Sequence, residues 1–181
     1  VTRSYSHYKS PAREKGTKML KIGGKLWMYT PRTDRKILIA GHLLRQSMMG
    51  SDLSYEDMME DHKLSNAYAA TLEGYEDFEG TRLAILHLIA YDKKTTYQTR
   101  KAWINPKNKT VLKEERFAKS GKILKRILFK DYEEIAGRIF PRTMIFKDLL
   151  KKNTKTTYKF DVIEFDVEIP DRYFSQSILK R

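Results

Sequence analysis

The chain has 181 residues, of which 40% are hydrophobic and 12% aromatic, a composition that supports one packed core. No apolar run approaches the ~20 residues that a membrane-spanning helix requires, and the absence of cysteine excludes disulfides and thiolate metal sites. The 36 Lys and Arg against 23 Asp and Glu leave a net charge of +13, which attracts polyanions of any kind: nucleic acid, anionic lipid headgroups or an acidic protein.

Turn chemistry divides the chain into strands. Gly23-Gly24 reads as a two-residue hairpin turn between TKMLKI and KLWMYT, because paired glycines accept the positive φ values that such turns demand. The next stretch reads as helix. From His42 to Met49 the apolar positions Leu43, Leu44, Met48 and Met49 follow helical spacing, and Gly50 is placed to stop the turn. A second start is predicted at Ser54, three residues before Asp57 in an acidic variant of the capping box, with Met58 and Met59 on its apolar side. Helices this short are marginal in water and persist only when packed on something larger, so they can detach at small cost.

Glu79-Gly80 precedes TRLAILHLIAY, which is apolar on both parities: Leu83, Ile85 and Ile89 on one, Leu86 and Leu88 on the other. That pattern predicts a central strand covered on both faces. Asn105 to Lys109, with Pro106, links YQTRKAWI to TVLKEERF, Ser120-Gly121 joins KEERFAK to KILKRILFKDY, and Gly137 precedes RIFPRTMIFKDLL. In the last strand Tyr158, Phe160 and Val162 alternate, then Ile163, Phe165, Val167 and Ile169 take the opposite parity. A bulge near Val162 and Ile163 would restore one buried face and bend the strand. With consecutive hairpins and no long helix between strands, the sheet is predicted to be a curved antiparallel meander.

Basic residues recur in KSPAREKGTK, KSGKILKR and LLKKNTKTTYK, often on the polar side of an alternating strand, where they read as a charged outer face. Met19, Met28, Met48, Met49, Met58 and Met59 suit either an ordinary core or a cavity that repacks around different shapes, since methionine is flexible. Trp27, Tyr29 and Trp103 read as packing residues that partly line such a cavity, with base stacking as the alternative.

Catalytic patterns are missing from the sequence. His7, His42, His62 and His87 show no HExxH spacing, and His87 within AILHLIA reads as a hydrogen-bonded core residue. Glu56, Asp57, Glu60 and Asp61 beside His62 read as a solvated helix face in preference to a cation site. Neither Gly23-Gly24-Lys25 nor Ser120-Gly121-Lys122 has phosphate-loop spacing, and no nucleophile elbow occurs. The expectation is a protein that is no enzyme and needs no cofactor or metal.

Three segments, KMLKIGGKLWMYTPRTDRKI, GHLLRQSMMGSDLSYEDM and FDVEIPDRYFS, resemble the outer-membrane lipoprotein-sorting family of the LolA-like superfamily, and the resemblance runs through nearly the whole chain. It implies a mainly β fold: a strongly curved antiparallel sheet, or incomplete β-barrel, with short helices plugging its concave face. It implies a single lipid- or lipoprotein-binding domain over 1–181. Relatives carry a signal peptide, a helix and at least one strand before the segment matching SYSHYKSPAREKGTKML, so the N-terminal helix and first strand are expected to be lacking here.

The function implied is that of a periplasmic carrier that holds the acyl chains of a lipoprotein or lipid in a hydrophobic cleft, for sorting or transport towards the outer membrane. From the hairpin and the helical segment the expected cleft takes Met19, Trp27, Met28, Tyr29, Leu43 and Leu44, then Met48, Met49, Leu53, Tyr55 and Met58. Leu86, Leu88 and Trp103 complete it, and Arg45 is expected in the lid, bonding backbone carbonyls. The expected partners are acyl chains together with a membrane transporter or an outer-membrane acceptor, and nucleic acid is not favoured. Two alternatives stay open: a basic binding module for nucleic acid or an acidic protein, and an accessory protein of an inner-membrane transporter.

Overall fold

The computed structural model describes residues 3–60 and 64–180. The chain divides into two compact units, Val1–Asp61 with Asp166–Arg181, and His62–Phe165. Each is built on an antiparallel meander.

The first unit holds a four-stranded sheet of β1 (Arg3–His7), β2 (Lys18–Ile22), β3 (Lys25–Thr30) and β4 (Arg35–Ile39), in that order. Gly23-Gly24 forms the expected hairpin turn, with Ile22 opposite Lys25 and Gly23 at φ 55°. Because side chains alternate along a strand, the register fixes two faces. Met19 and Lys21 stand beside Met28 and Leu26 on one; Lys18 and Leu20 stand beside Tyr29 and Trp27 on the other. Both faces are covered, and Lys18 through Lys21 are all buried.

The Met28 face carries α1 (Tyr55–Met59) and the loop before it. There the Tyr55 hydroxyl donates to Met28 Sδ at 3.6 Å and the Tyr8 hydroxyl to Met48 Sδ at 3.8 Å. On the Trp27 face lie the C-terminal turns Asp171–Phe174 and Gln176–Lys180. Tyr173 packs on Tyr5 at 5.7 Å, Arg3 pairs with Asp171 at 2.8 Å, and Lys18 Nζ donates to the Ile178 carbonyl at 3.3 Å.

The capping box at the start of α1 is present, with the Ser54 N–H donating to Asp57 Oδ2 at 2.7 Å and the Asp57 N–H to Ser54 Oγ at 3.2 Å. The helix predicted from His42 to Met49 is not. In its place stand two 3-10 turns, Gly41–Arg45 and Met48–Gly50, with Met49 at φ 49° inside the second. The cause is local competition for backbone groups: the Met48 N–H donates to the Leu53 carbonyl at 2.8 Å, and the Ser47 hydroxyl donates to the Ser51 carbonyl. The stretch SMMGSDLS closes on itself before a helix can propagate.

The second unit starts with α2 (Leu64–Ala67) and continues as a seven-stranded meander. Its strands are β5 (Tyr68–Phe78), β6 (Thr81–Ala90), β7 (Thr99–Ile104), β8 (Val111–Phe117), β9 (Ile123–Ile135), β10 (Arg138–Asp148) and β11 (Thr156–Lys159). Glu79-Gly80 and Ala136-Gly137 make two-residue turns with positive φ at both positions, the backbone twist a tight hairpin favours. The edges β5 and β11 do not pair with each other, so the sheet is mainly β, antiparallel and unclosed, as the sequence led us to expect.

The irregularities that twist it sit elsewhere than predicted. Register shifts fall between Leu72 and Gly74, between Trp103 and Ile104, and between Arg116 and Phe117, whereas β11 ends at Lys159 and no bulge forms at Val162 and Ile163. Past that point Arg142 Nη1 donates to the carbonyls of Phe160 and Asp161 at 3.1 and 3.2 Å, and Phe160 and Phe165 each pack edge-on to Phe140 at 5.7 Å. The alternating apolar residues there serve an aromatic cluster, with a guanidinium replacing a strand neighbour.

Strand β6 also departs from expectation. Leu83 and Leu88, on opposite faces, are buried, but Ile89 is 50% exposed and Leu86 half-buried, so each face of β6 is covered along only part of its length. Its neighbour β5 is the sheet edge, and α2 shields only the side on which Tyr68, Leu88 and Ala102 form a core with Leu64 and Ala67.

Candidate functional site

Around the methionine-bearing face of β2 and β3, the segment from Gly41 to Met59 is held unevenly. Its second half is anchored. Lys21 is only 4% exposed, and its ammonium donates to the carbonyls of Met58, Met59 and Glu60 at 3.3, 2.9 and 3.4 Å. A cation at the end of a helix meets the carbonyls that no helical N–H reaches, and the helix dipole adds to the attraction. Asp52, Leu53, Ser54 and Tyr55 are buried alongside, and burial pushes the Tyr55 phenol above its ordinary pKa.

The first half is held lightly. Gly41–Arg45 has no fully buried residue and no side-chain cap, and at its two ends the Leu43 N–H donates to Ala40 O at 3.2 Å and the Gln46 N–H to Leu43 O at 3.1 Å. Arg45 is exposed, and its side chain makes no hydrogen bond or ion pair with described residues. Lys21, which the sequence reading did not single out, is the cation that bonds backbone carbonyls here.

The expected cleft residues therefore fall into groups. Met19 and Met28 share a face with Tyr55 and Met48; Leu53 is buried beside them and Met49 and Met58 are half-buried. Leu43 and Leu44, half-buried, ride on the lightly held turn. Trp27 and Tyr29 point to the opposite face. There Lys36 Nζ lies 5.9 Å from the Trp27 ring, and the Tyr29 hydroxyl donates to Asp34 at 3.1 Å. The hairpin does not bring these two aromatics to the methionines, because odd and even positions of one strand cannot share a face.

Leu86, Leu88 and Trp103 belong to the seven-stranded sheet. Leu86 and Leu88 lie on the α2 side, whereas Trp103, opposite Ile85, lies on the other, where its indole N–H donates to Glu76 at 2.7 Å and Lys113 sits 3.5 Å over its ring. His87 is half-buried, its carbonyl accepting from the Thr71 hydroxyl at 3.4 Å.

A buried charge cluster also escaped the sequence reading. Arg100 Nη1 and Arg116 Nε donate to Glu114 Oε1 at 2.9 and 2.7 Å, and the Arg100 guanidinium stacks 4.7 Å from Tyr68 and 5.4 Å from Tyr97. With Lys18 and Lys21 buried and Lys125 paired to Asp148 at 2.9 Å, several basic side chains serve the interior and not a charged outer face. Among the described residues no group of three or more His, Cys, Asp or Glu could hold a metal ion; Asp61 and His62 of the acidic cluster lie outside those residues. No helix among them is long and apolar enough to cross a membrane.

The seven-stranded sheet also bears a cavity of about 520 Å³, lined by Arg126 and Leu128 of β9, Ile145 and Lys147 of β10, and Asn153 to Lys155 of the loop before β11. None of the expected cleft residues lines it. The signal was present in the sequence: counting outward from the Ala136-Gly137 turn pairs Leu128 with Ile145 and Arg126 with Lys147, stacking two cations and two apolar side chains on one face.

A family model described only as "-like: Uncharacterized protein" matches residues 1–181. The chain superimposes on a solved DUF1329 family protein from Desulfovibrio piger with TM-score 0.88 and 26% identity, over 98% of this chain and 76% of that one. A putative outer-membrane lipoprotein-sorting protein domain from Vibrio parahaemolyticus gives TM-score 0.84 and 24% identity over 99% and 77%, and a LolA superfamily protein from Nitrosomonas europaea 0.78 and 24% over 97% and 77%. The chain belongs to the matched family, and its fold is LolA-like. The resemblance first visible in three stretches of sequence thus extends over nearly the whole chain, as LolA-like architecture with two antiparallel sheets and few helices. No curated protein matches the chain.

Proposed function

We propose that this LolA-like chain is a non-enzymatic periplasmic carrier, residues 1–181 acting as one binding domain, that shelters acyl chains of a lipoprotein or lipid against the methionine-bearing face of its four-stranded sheet. Met19, Met28, Met48, Leu53, Tyr55 and Met58 form the floor, and Leu43, Leu44 and Arg45 the part that moves. Its partners are then the lipidated cargo and a membrane acceptor that receives it. The observation that carries the reading is the contrast within one segment: Ser54–Met59 is tied down by its capping box and by Lys21, while Gly41–Arg45 has no side-chain cap and no fully buried residue. Each hydrogen bond lost costs about 0.5–1.5 kcal/mol net, and each buried methylene returns about 0.8 kcal/mol. Burying the methylenes of an acyl chain therefore offsets displacement of the turn at about one or two methylenes per bond, and flexible methionines can repack around them.

The test is native mass spectrometry of protein purified from periplasm without detergent. Lipid adducts are expected, and Leu43→Asp with Leu44→Asp is expected to reduce them while leaving the far-ultraviolet spectrum unchanged. Adduct-free protein that also fails to take up a fluorescent fatty acid would overturn the proposal.

A further inference from the structure

We infer that the cavity on the seven-stranded sheet is a binding site for a phosphate monoester carried on a short apolar body. The site stands apart from the carrier reading, because it shares no residue with the methionine-bearing face and lies wholly within the second unit.

The floor follows from register. Leu128 and Ile145 are direct cross-strand partners, and Arg126 and Lys147 are the partners two residues along, so all four side chains leave the same face of β9 and β10. Beyond them Asn153, Thr154 and Lys155 complete the lining. Asp148 fixes the loop that delivers these three: its side chain accepts the Leu150 N–H at 3.0 Å, its carbonyl accepts the Lys151 N–H at 3.2 Å, and its carboxylate pairs with Lys125. The cavity is thus built on two long strands and an anchored loop.

Its charge is one-sided. Arg126, Lys147 and Lys155 line it, and no acidic residue does. The Arg126 guanidinium is shared with Glu115 at 2.8 Å, which leaves Lys147 and Lys155 as cations with neither hydrogen bond nor ion pair to any described residue. Arg126 and Lys147 also stand directly opposite each other across the strands, an arrangement that like charges disfavour unless an anion lies between them. Two uncompensated positive charges match a phosphate monoester, which carries about −1.5 to −2 at neutral pH, better than a carboxylate. Arginine and lysine are the side chains that bind such oxygens through charge-assisted hydrogen bonds. Leu128 and Ile145 would then meet the carbons next to the phosphate, and a volume of about 520 Å³ lies within the range of small-molecule sites.

The experiment is isothermal titration of the full chain with decyl phosphate, inorganic phosphate, decanoate and decyl maltoside at fixed ionic strength. Decyl phosphate is expected to bind at least tenfold more tightly than each of the others, and Lys147→Ala and Lys155→Ala, both at exposed positions, are each expected to weaken it about tenfold. All four titrations are repeated on Leu43→Asp with Leu44→Asp, and the binding that persists in that variant is the quantity compared, which separates this site from the acyl chains' site on the methionine-bearing face. Inorganic phosphate binding as tightly as decyl phosphate would show that the apolar floor is idle. Equal binding of decyl maltoside would show that the cations are idle, and equal binding of decanoate that a dianion is not what the site selects. Any of these, or full-strength decyl phosphate binding in both lysine variants, overturns the inference.

Discussion

Replacing Lys21 by methionine keeps an apolar stem out to Cε, with sulfur in place of one methylene, and removes the ammonium, so it tests what that charge does. In the native protein the ammonium meets three carbonyls at the end of α1, the nearest at 2.9 Å and the others at 3.3 and 3.4 Å. A hydrogen bond from a charged donor is worth about 1.5–3 kcal/mol net. The two longer contacts count for less, and the favourable cation at a helix C-terminus adds about 0.5 kcal/mol. Against this stands the cost of keeping an ammonium out of water, which the variant recovers. The carbonyls decide the balance: Met58, Met59 and Glu60 are half-buried, so water replaces the lost donor only in part. The expected net loss is about 2 kcal/mol. Urea denaturation followed by circular dichroism measures it, and hydrogen exchange localises it, with amides of α1 and of the loop from Ser51 exchanging faster while those of β9 and β10 stay protected. A variant as stable as the native chain, or more so, would refute the reasoning by showing that burying the ammonium costs more than the carbonyl contacts return.

Glu114→Gln is expected to cost about 3 kcal/mol, because it removes the carboxylate paired with the Arg100 guanidinium, which is only 2% exposed. The double change Arg100→Met with Glu114→Gln should lose less than Glu114→Gln alone, and a thermodynamic cycle over the two sites reads the difference. Burial pushes the phenol of Tyr132, whose hydroxyl donates to the Val111 carbonyl, up to about 12. Its raised folded pKa gives a contribution that is whole below about pH 10, the ordinary value for a free tyrosine, and is lost as pH rises towards 12. Tyr132→Phe should therefore flatten the alkaline decline in stability, and spectrophotometric titration should lose its highest-pH tyrosine step.

The amino-acid sequence by itself determined the turns and caps. Gly23-Gly24, Glu79-Gly80 and Gly137 reverse the chain where their backbone freedom allows it, and Ser54 with Asp57 starts α1. These are contests between neighbours a few residues apart, so a linear reading finds them, and with them the antiparallel, β-rich character of the fold. The Leu128–Ile145 and Arg126–Lys147 pairs follow from the same turn chemistry, but that they border a cavity depends on a loop folding back at Asn153 to Lys155.

Tertiary structure alone decided which alternating face was covered and by what. Lys18 belongs to a stretch that reads as a charged outer face and Lys21 carries no signal of its own, yet both are buried, because the C-terminal turns lie over one side of β2 and α1 over the other. Trp27 and Met28 are adjacent in sequence and on opposite sides of the sheet. The apolar run of β6 promised burial along both faces, but Leu88 is buried on the α2 side and Leu83 on the other while Ile89 is left 50% exposed. Period tells which side chains travel together; what they meet is set by segments far away in the chain.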